Sequence, residues 1–169
     1  MSAPPTLVLA WGNPGRRDDG LGPAFAAAIA ARRLPQVQVE SGYQLQIEDA
    51  AQLAGCGRVF FVDAERCGSA PFRLRRIEPE AGGIGFTSHS VSPGRLLALG
   101  RDLFGACPEA WLMGIRGYDF DDFGEELTTA AQANLEAAIA AAAGALALGN
   151  EGGGSRCAAM PAAERRGEP

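Results

Sequence analysis

The chain reads as a single α/β domain with a mostly parallel sheet between helices, and three observations carry that reading. Short apolar runs alternate with helical patterns along the sequence. A Gly- and Pro-broken loop joins the first run to the first helix, as in a β–loop–α unit. The strongest run, Arg58-Val-Phe-Phe-Val-Asp63, is apolar throughout and ends in a carboxylate, as expected of a strand buried on both faces.

In order, Thr6–Ala10 predicts a buried strand and Ala24–Ala31 a helix. Between them lies Trp11-Gly-Asn-Pro-Gly-Arg-Arg-Asp18-Asp19-Gly-Leu-Gly-Pro23, where Asp18 or Asp19 could cap the helix. Val37–Glu40 alternates as a second strand, Ser41-Gly42 turns the chain, and Leu45–Leu53 has helical spacing. Pro71–Ile77 interleaves apolar residues with arginines, which predicts an exposed or edge strand. Ser92-Pro93 predicts an N-cap followed by proline in the first helical position, with Leu96, Leu97, Leu99 and Leu103 as the apolar face. Ala110–Ile115 predicts another buried strand, 116–125 a polar loop, and Thr128–Leu148 a long Ala-rich helix. The domain is drawn at 1–148. Residues 149–169 combine a glycine run with no apolar period and are expected to be a disordered tail.

Composition narrows the function classes. The net charge is −5 and every basic residue is arginine, without a basic stripe, so nucleic acid is a poor partner. No apolar run approaches the roughly 18 residues of a membrane span, and the first residues lack a basic leader, so a cytoplasmic protein is expected. The four cysteines, Cys56, Cys67, Cys107 and Cys157, form no CxxC pair and are expected to be free thiols. There is no GxxxxGK[ST] and no GxGxxG order, so the glycine loop lacks a phosphate-binding signature.

The candidate chemistry is positional. Asp18 and Asp19 follow the first strand and Asp63 closes the third, and ligands of open α/β sheets sit outside the carboxyl ends of strands. His89, the one histidine, precedes the Ser-Pro helix start. Each has an ordinary alternative: a cap, a strand-end acceptor, a structural imidazole. Together, two carboxylates and an imidazole form a ligand set for a divalent ion such as nickel or zinc, with positions left open for a substrate. A Ser–His–Asp set from Ser88, Ser90 or Ser92 with His89 and Asp63, or a Cys67–His89 pair, is not singled out by any spacing, and there is no GxSxG elbow.

Gly12-Asn13 followed by Asp18-Asp19-Gly20-x-Gly22, then Val59-Phe-Phe-Val-Asp63-Ala64, then Thr87-Ser-His89, resembles in order the motifs of the [NiFe]-hydrogenase maturation endopeptidases. Gln44–Glu48 and Ile115-Arg-Gly117 through Leu127 resemble the branch serving cytoplasmic, bidirectional NAD-linked hydrogenases. The resemblance spans about residues 6–148, all but the tail. It implies a three-layer α/β domain with a twisted five-stranded sheet. It also implies removal of the C-terminal extension of a hydrogenase large-subunit precursor after nickel insertion. The family's metal-contacting and catalytic residues fall on Asp19, Asp63 and His89. The resemblance implies that nickel is supplied by the substrate, and a set without a thiolate is expected not to hold it tightly. Where some relatives have Asp-Gly-Gly, this chain has Glu40-Ser41-Gly42, so Glu40 is a further candidate. Two alternatives from other classes are a non-catalytic nickel-binding checkpoint protein and an α/β nucleotide-binding module.

Overall fold

A computed structural model describes residues 4–81 and 91–147. Five strands form one sheet: β1 (Thr6–Trp11), β2 (Val37–Gly42), β3 (Arg58–Glu65), β4 (Phe72–Ile77) and β5 (Glu109–Arg116). Their order is β2-β1-β3-β5-β4. All pairings are parallel except β4 with β5. The helices are α1 (Leu21–Ala31), α2 (Pro93–Phe104) and α3 (Thr129–Ala147).

The period-2 pattern of the strands sorts their side chains onto two faces. Val8, Ala10, Phe60, Val62, Met113 and Ile115 pack with α1 and α3 in one core. Leu7, Leu9, Val59, Phe61 and Ala110 pack with α2 and the 45–53 segment in the other. The central strands are therefore apolar on both sides, as their continuous apolar runs predict. From β1 the chain turns to β2 on one side and returns to β3 on the other, so the strand order reverses between β1 and β3. Trp11 ends β1, and Asp63 lies two residues before the end of β3, which runs on to Glu65 instead of closing at Asp63; both flank the crevice where this class of sheet binds ligands.

Several sequence expectations are corrected. The first helix begins at Leu21, three residues earlier than predicted, and its N-cap is Gly20 with no side-chain bond, so neither Asp18 nor Asp19 caps it. A 3₁₀ turn over Arg17–Gly20 holds both aspartates. The Leu45–Leu53 pattern becomes a 3₁₀ helix over Ile47–Leu53, opened by a reciprocal Gln46–Asp49 capping box. Ser41-Gly42 extends β2 instead of turning the chain. Leu103 is exposed while Leu96, Leu97 and Leu99 are buried. Cys56 and Cys67 are free, but Cys107 is disulfide-bonded, because proximity in the folded chain and not sequence spacing decides pairing. Ser92 caps α2 as expected: its hydroxyl accepts from the Arg95 amide at 3.1 Å, with Pro93 first in the helix. The 149–169 tail lies outside the described residues.

Candidate functional site

The loop after β1 is shaped by close backbone approach. Gly12 has φ +143°, and a Cβ there would sit 2.0 Å from the Asp19 carbonyl oxygen. Gly22 meets the Trp11 carbonyl in the same way, at 2.1 Å. Only glycine permits the loop to fold back so tightly onto the strand end. The fold-back brings the Asn13 amide to Asp19, whose Oδ2 accepts it at 2.9 Å. Asn13 Oδ1 in turn accepts from the Gly15 amide at 2.9 Å. Asp19 is thus fixed at the head of the loop by the asparagine of its own motif, with Oδ1 unbonded among the described residues.

Asp63 stands in β3 opposite Gly114 of β5, one step beyond the Ala10–Val62 pairing of β1. By alternation it faces the α2 side of the sheet, as does Trp11. Burial pushes the Asp63 carboxyl up to about 6; the hydrogen bond from its Ala64 amide opposes this, the charge of Asp19 reinforces it, the Trp11 side chain opposes it and Glu65 reinforces it. The Ala64 N–H donates to Oδ1 at 2.8 Å. Of the three residues picked from the sequence, Asp63 opens on the crevice between β1 and β3, and Asp19 acts on it through its charge. His89 lies outside the described residues. Among the described residues no three His, Cys, Asp or Glu side chains are grouped to hold a metal ion.

A cavity of about 160 Å³ opens on Asp63, lined also by Trp11, Leu112, Gly114, Arg73 and Pro93. Gly114 is part of its design. A Cβ there would lie 2.6 Å from a carboxylate oxygen of Glu65, which is clamped by both Nε and Nη2 of Arg73. Sequence reasoning missed Trp11, Gly114 and the Glu65–Arg73 clamp. Period-2 alternation from Leu7 and Leu9 could have put Trp11 on the Asp63 face; the glycine and the clamp had no sequence signal, because they depend on which strands pair. Glu40 is exposed on β2 and lines a different cavity of about 260 Å³, which also borders Trp11. A larger cavity of about 700 Å³, between Pro14, Pro23 and Glu125–Leu127, is lined by neither Asp19 nor Asp63.

Asp18 turns the other way. It is fully buried, and one oxygen accepts from the Thr128 amide at 2.8 Å. The other accepts from the Tyr118 amide at 2.7 Å, the Asp119 amide at 3.1 Å and the Thr128 hydroxyl at 2.8 Å. Burial would raise its pKa, but the bonds from Thr128, Tyr118 and Asp119 together hold it below the usual carboxylate value. Thr128 also caps α3 through the Ala131 amide. The loop's own amides are consumed too. Those of Gly12, Arg16, Arg17, Asp18 and Asp19 donate to the carbonyls of Gly42, Asn13, Gly124, Asp119 and Arg16. With Asn13 and Gly15 already bonded and Pro14 lacking an N–H, none of the loop amides from 12 to 19 points outward to cradle a phosphate. Ser92, one of the serine candidates, is engaged as the α2 cap and with Glu80.

No family model and no curated protein sequence matches the chain. Solved structures do. Hydrogenase 2 maturation peptidase from a Thaumarchaeota archaeon is 23% identical, with TM-score 0.63 over 85% of this chain and 99% of that one. The [NiFe] hydrogenase maturation protease HycI from Thermococcus kodakarensis is 19% identical, with TM-score 0.63 over 86% and 94%. Hydrogenase maturating endopeptidase HybD from E. coli is 21% identical, with TM-score 0.62 over 84% and 91%. At such identities the likeness establishes the fold: a five-stranded, mostly parallel α/β sandwich.

Proposed function

We propose that the chain is an endopeptidase that removes the C-terminal extension of a [NiFe]-hydrogenase large-subunit precursor after nickel insertion, in the branch serving cytoplasmic, bidirectional NAD-linked hydrogenases. What supports this reading is Asp63 at the β1–β3 crevice with the charge of Asp19 acting on it, on residues that resemble that family's motifs, in a fold like that of maturation proteases. Among the described residues no helix is long and apolar enough to cross a membrane, which is compatible with a cytoplasmic precursor as partner.

The chemistry follows from Asp63. A carboxyl titrating near 6 takes a proton from an attacking water and returns it near neutral pH. In peptide hydrolysis the water oxygen bonds to the carbonyl carbon and its proton passes to Asp63. The C–N bond then breaks as the proton is delivered to the leaving amine. Trp11 and the Ala64 amide hold the Asp63 carboxylate in place. Asp19, fixed by Asn13, keeps negative charge beside it. The donor set fits a divalent ion only in part: two carboxylates with one free oxygen on Asp19, completed by His89 through the resemblance and by the substrate's own ligands. A nickel ion brought by the precursor and held by Asp19, Asp63 and His89 would supply polarisation of the scissile carbonyl. His89 is four residues before Pro93, which lines the Asp63 cavity.

The test is incubation with nickel-loaded and nickel-free precursor, followed by intact mass. Loss of the C-terminal extension from the loaded form alone supports the reading. Binding without mass loss identifies the checkpoint role instead. The protein purified without added metal should hold far less than one equivalent of nickel by elemental analysis; a stoichiometric ion resisting chelator would overturn delivery by the substrate.

A further inference from the structure

We propose, resting on the endopeptidase reading above, that the peptide to be cut lies extended in a groove between β4 and the start of α2, with one of its acidic side chains ion-paired to Arg75. The Asp63 cavity is not a closed pit. A second cavity, of about 350 Å³, shares Arg75, Pro93 and Leu112 with it and runs on to Glu78 and Glu80. The two form one groove that starts at Asp63 and passes along the edge strand of the sheet.

Charge complementarity names the occupant. Three arginines of β4 border the groove. Arg73 is clamped by Glu65, and Arg76 lies 3.6 Å from Glu78. Glu80 accepts from the Ser92 hydroxyl. Arg75 has no carboxylate or hydrogen-bond partner among the described residues, although it borders both cavities. An unpaired guanidinium at the junction of two cavities selects a carboxylate, by a planar bidentate contact that no other cation of the groove is free to make.

Register gives the spacing. Arg75 pairs with Leu112, Arg73 with Gly114, and Gly114 with Asp63, so Arg75 and Asp63 share one face. They are two strands apart across the sheet and two residues apart along it, about 12 Å from strand and residue spacings. An extended peptide covers that in about four residues. The acidic side chain therefore belongs within about four residues of the scissile bond.

The experiment is charge reversal on both sides of the contact, using the full chain and nickel-loaded precursor. Arg75→Glu should raise KM about tenfold or more while kcat changes much less. Changing each acidic residue within four positions of the cut to Arg should identify one precursor variant that Arg75→Glu cuts better than the wild-type protein does. An unchanged KM, or equal loss on every precursor with no reversal, overturns the proposal. Should the wild-type protein cut no precursor, the endopeptidase reading fails, and the groove is tested separately by amide NMR. Three extended decapeptides, identical except for a central Glu, Gln or Arg, are titrated in. Shifts at Arg75, Gly94 and Leu112 that are strongest with Glu, and lost in Arg75→Glu, uphold the groove. Shifts that ignore the central residue, or no shifts, reject it.

Discussion

Asp18, fully buried, and Asp63, half-buried, stand at the same edge of one sheet, and their acidities move in opposite directions. The difference is the donor supply. The loop around Asp18 is stitched to the 117–128 segment, which presents three amides and a hydroxyl to its carboxylate. The crevice around Asp63 gives it its own neighbour's amide and the Trp11 side chain, and sets the charges of Asp19 and Glu65 beside it. Burial penalises both charges; hydrogen bonds overcome the penalty at Asp18 and leave it standing at Asp63. A saturated carboxylate fastens two loops together. An undersupplied one keeps a proton exchangeable near neutral pH and faces a cavity large enough for substrate atoms.

The contrast breaks most sharply on Asp63→Asn. Precursor cleavage should fall by about 10³-fold or more, since the amide cannot take the water proton. The same substitution should stabilise the metal-free fold. A pKa raised from 3.8 to about 6 corresponds to at most about 3 kcal/mol, a cost absent below pH 4 and complete above pH 6. Chemical denaturation should therefore find Asp63→Asn and wild type equally stable at pH 4 and the variant more stable at pH 8. A variant less stable at pH 8 would show that the carboxylate is satisfied after all.

Asp18→Asn should do the reverse. One oxygen becomes an NH₂ facing N–H donors, at a cost of about 2–4 kcal/mol, while kcat per folded molecule stays near wild type. Because its pKa is lowered in the fold, the Asp18 contribution is present above the unfolded value of 3.8 and fades as pH falls through the folded value. Denaturation midpoints of the variant and wild type should converge on acidification. A loss of kcat with an unchanged midpoint would move Asp18 into the chemistry.

The smallest effect sharpens the Asp63 side alone. Ser92→Ala removes the α2 cap that sets the wall of the cavity, and should cost about 1 kcal/mol by melting. It should leave the pH response tied to Asp18 unchanged. A loss well above that would mean the Ser92–Glu80 contact holds more of the groove than the cap itself.

What was legible in the sequence is local. Continuous apolar runs located β1, β3 and β5, an Arg-interleaved run located the edge strand β4, and Ser-Pro located the start of α2. Asp19 and Asp63 were legible as candidates because strand ends follow from the apolar runs and ligand position follows from topology. The opposite orientation of adjacent Asp18 and Asp19 was also foreseeable as geometry, though not which partner Asp18 would take.

The capping role assigned to the aspartates failed because Gly20 is the N-cap of a helix that begins at Leu21, and the carboxylates accept elsewhere, Asp18 from Tyr118, Asp119 and Thr128 and Asp19 from the Asn13 amide. The partners of Asp18 are 100 to 110 residues away in sequence, beyond any local pattern. Trp11, Gly114 and the Glu65–Arg73 clamp likewise converge on Asp63 only once β1, β3, β5 and β4 lie side by side. Alternation and capping are properties of neighbouring residues, so the sequence by itself determined the elements and the carboxylates they present. The acidity of each carboxylate is set by how many donors and charges the fold brings from distant segments, and that the tertiary structure alone decided.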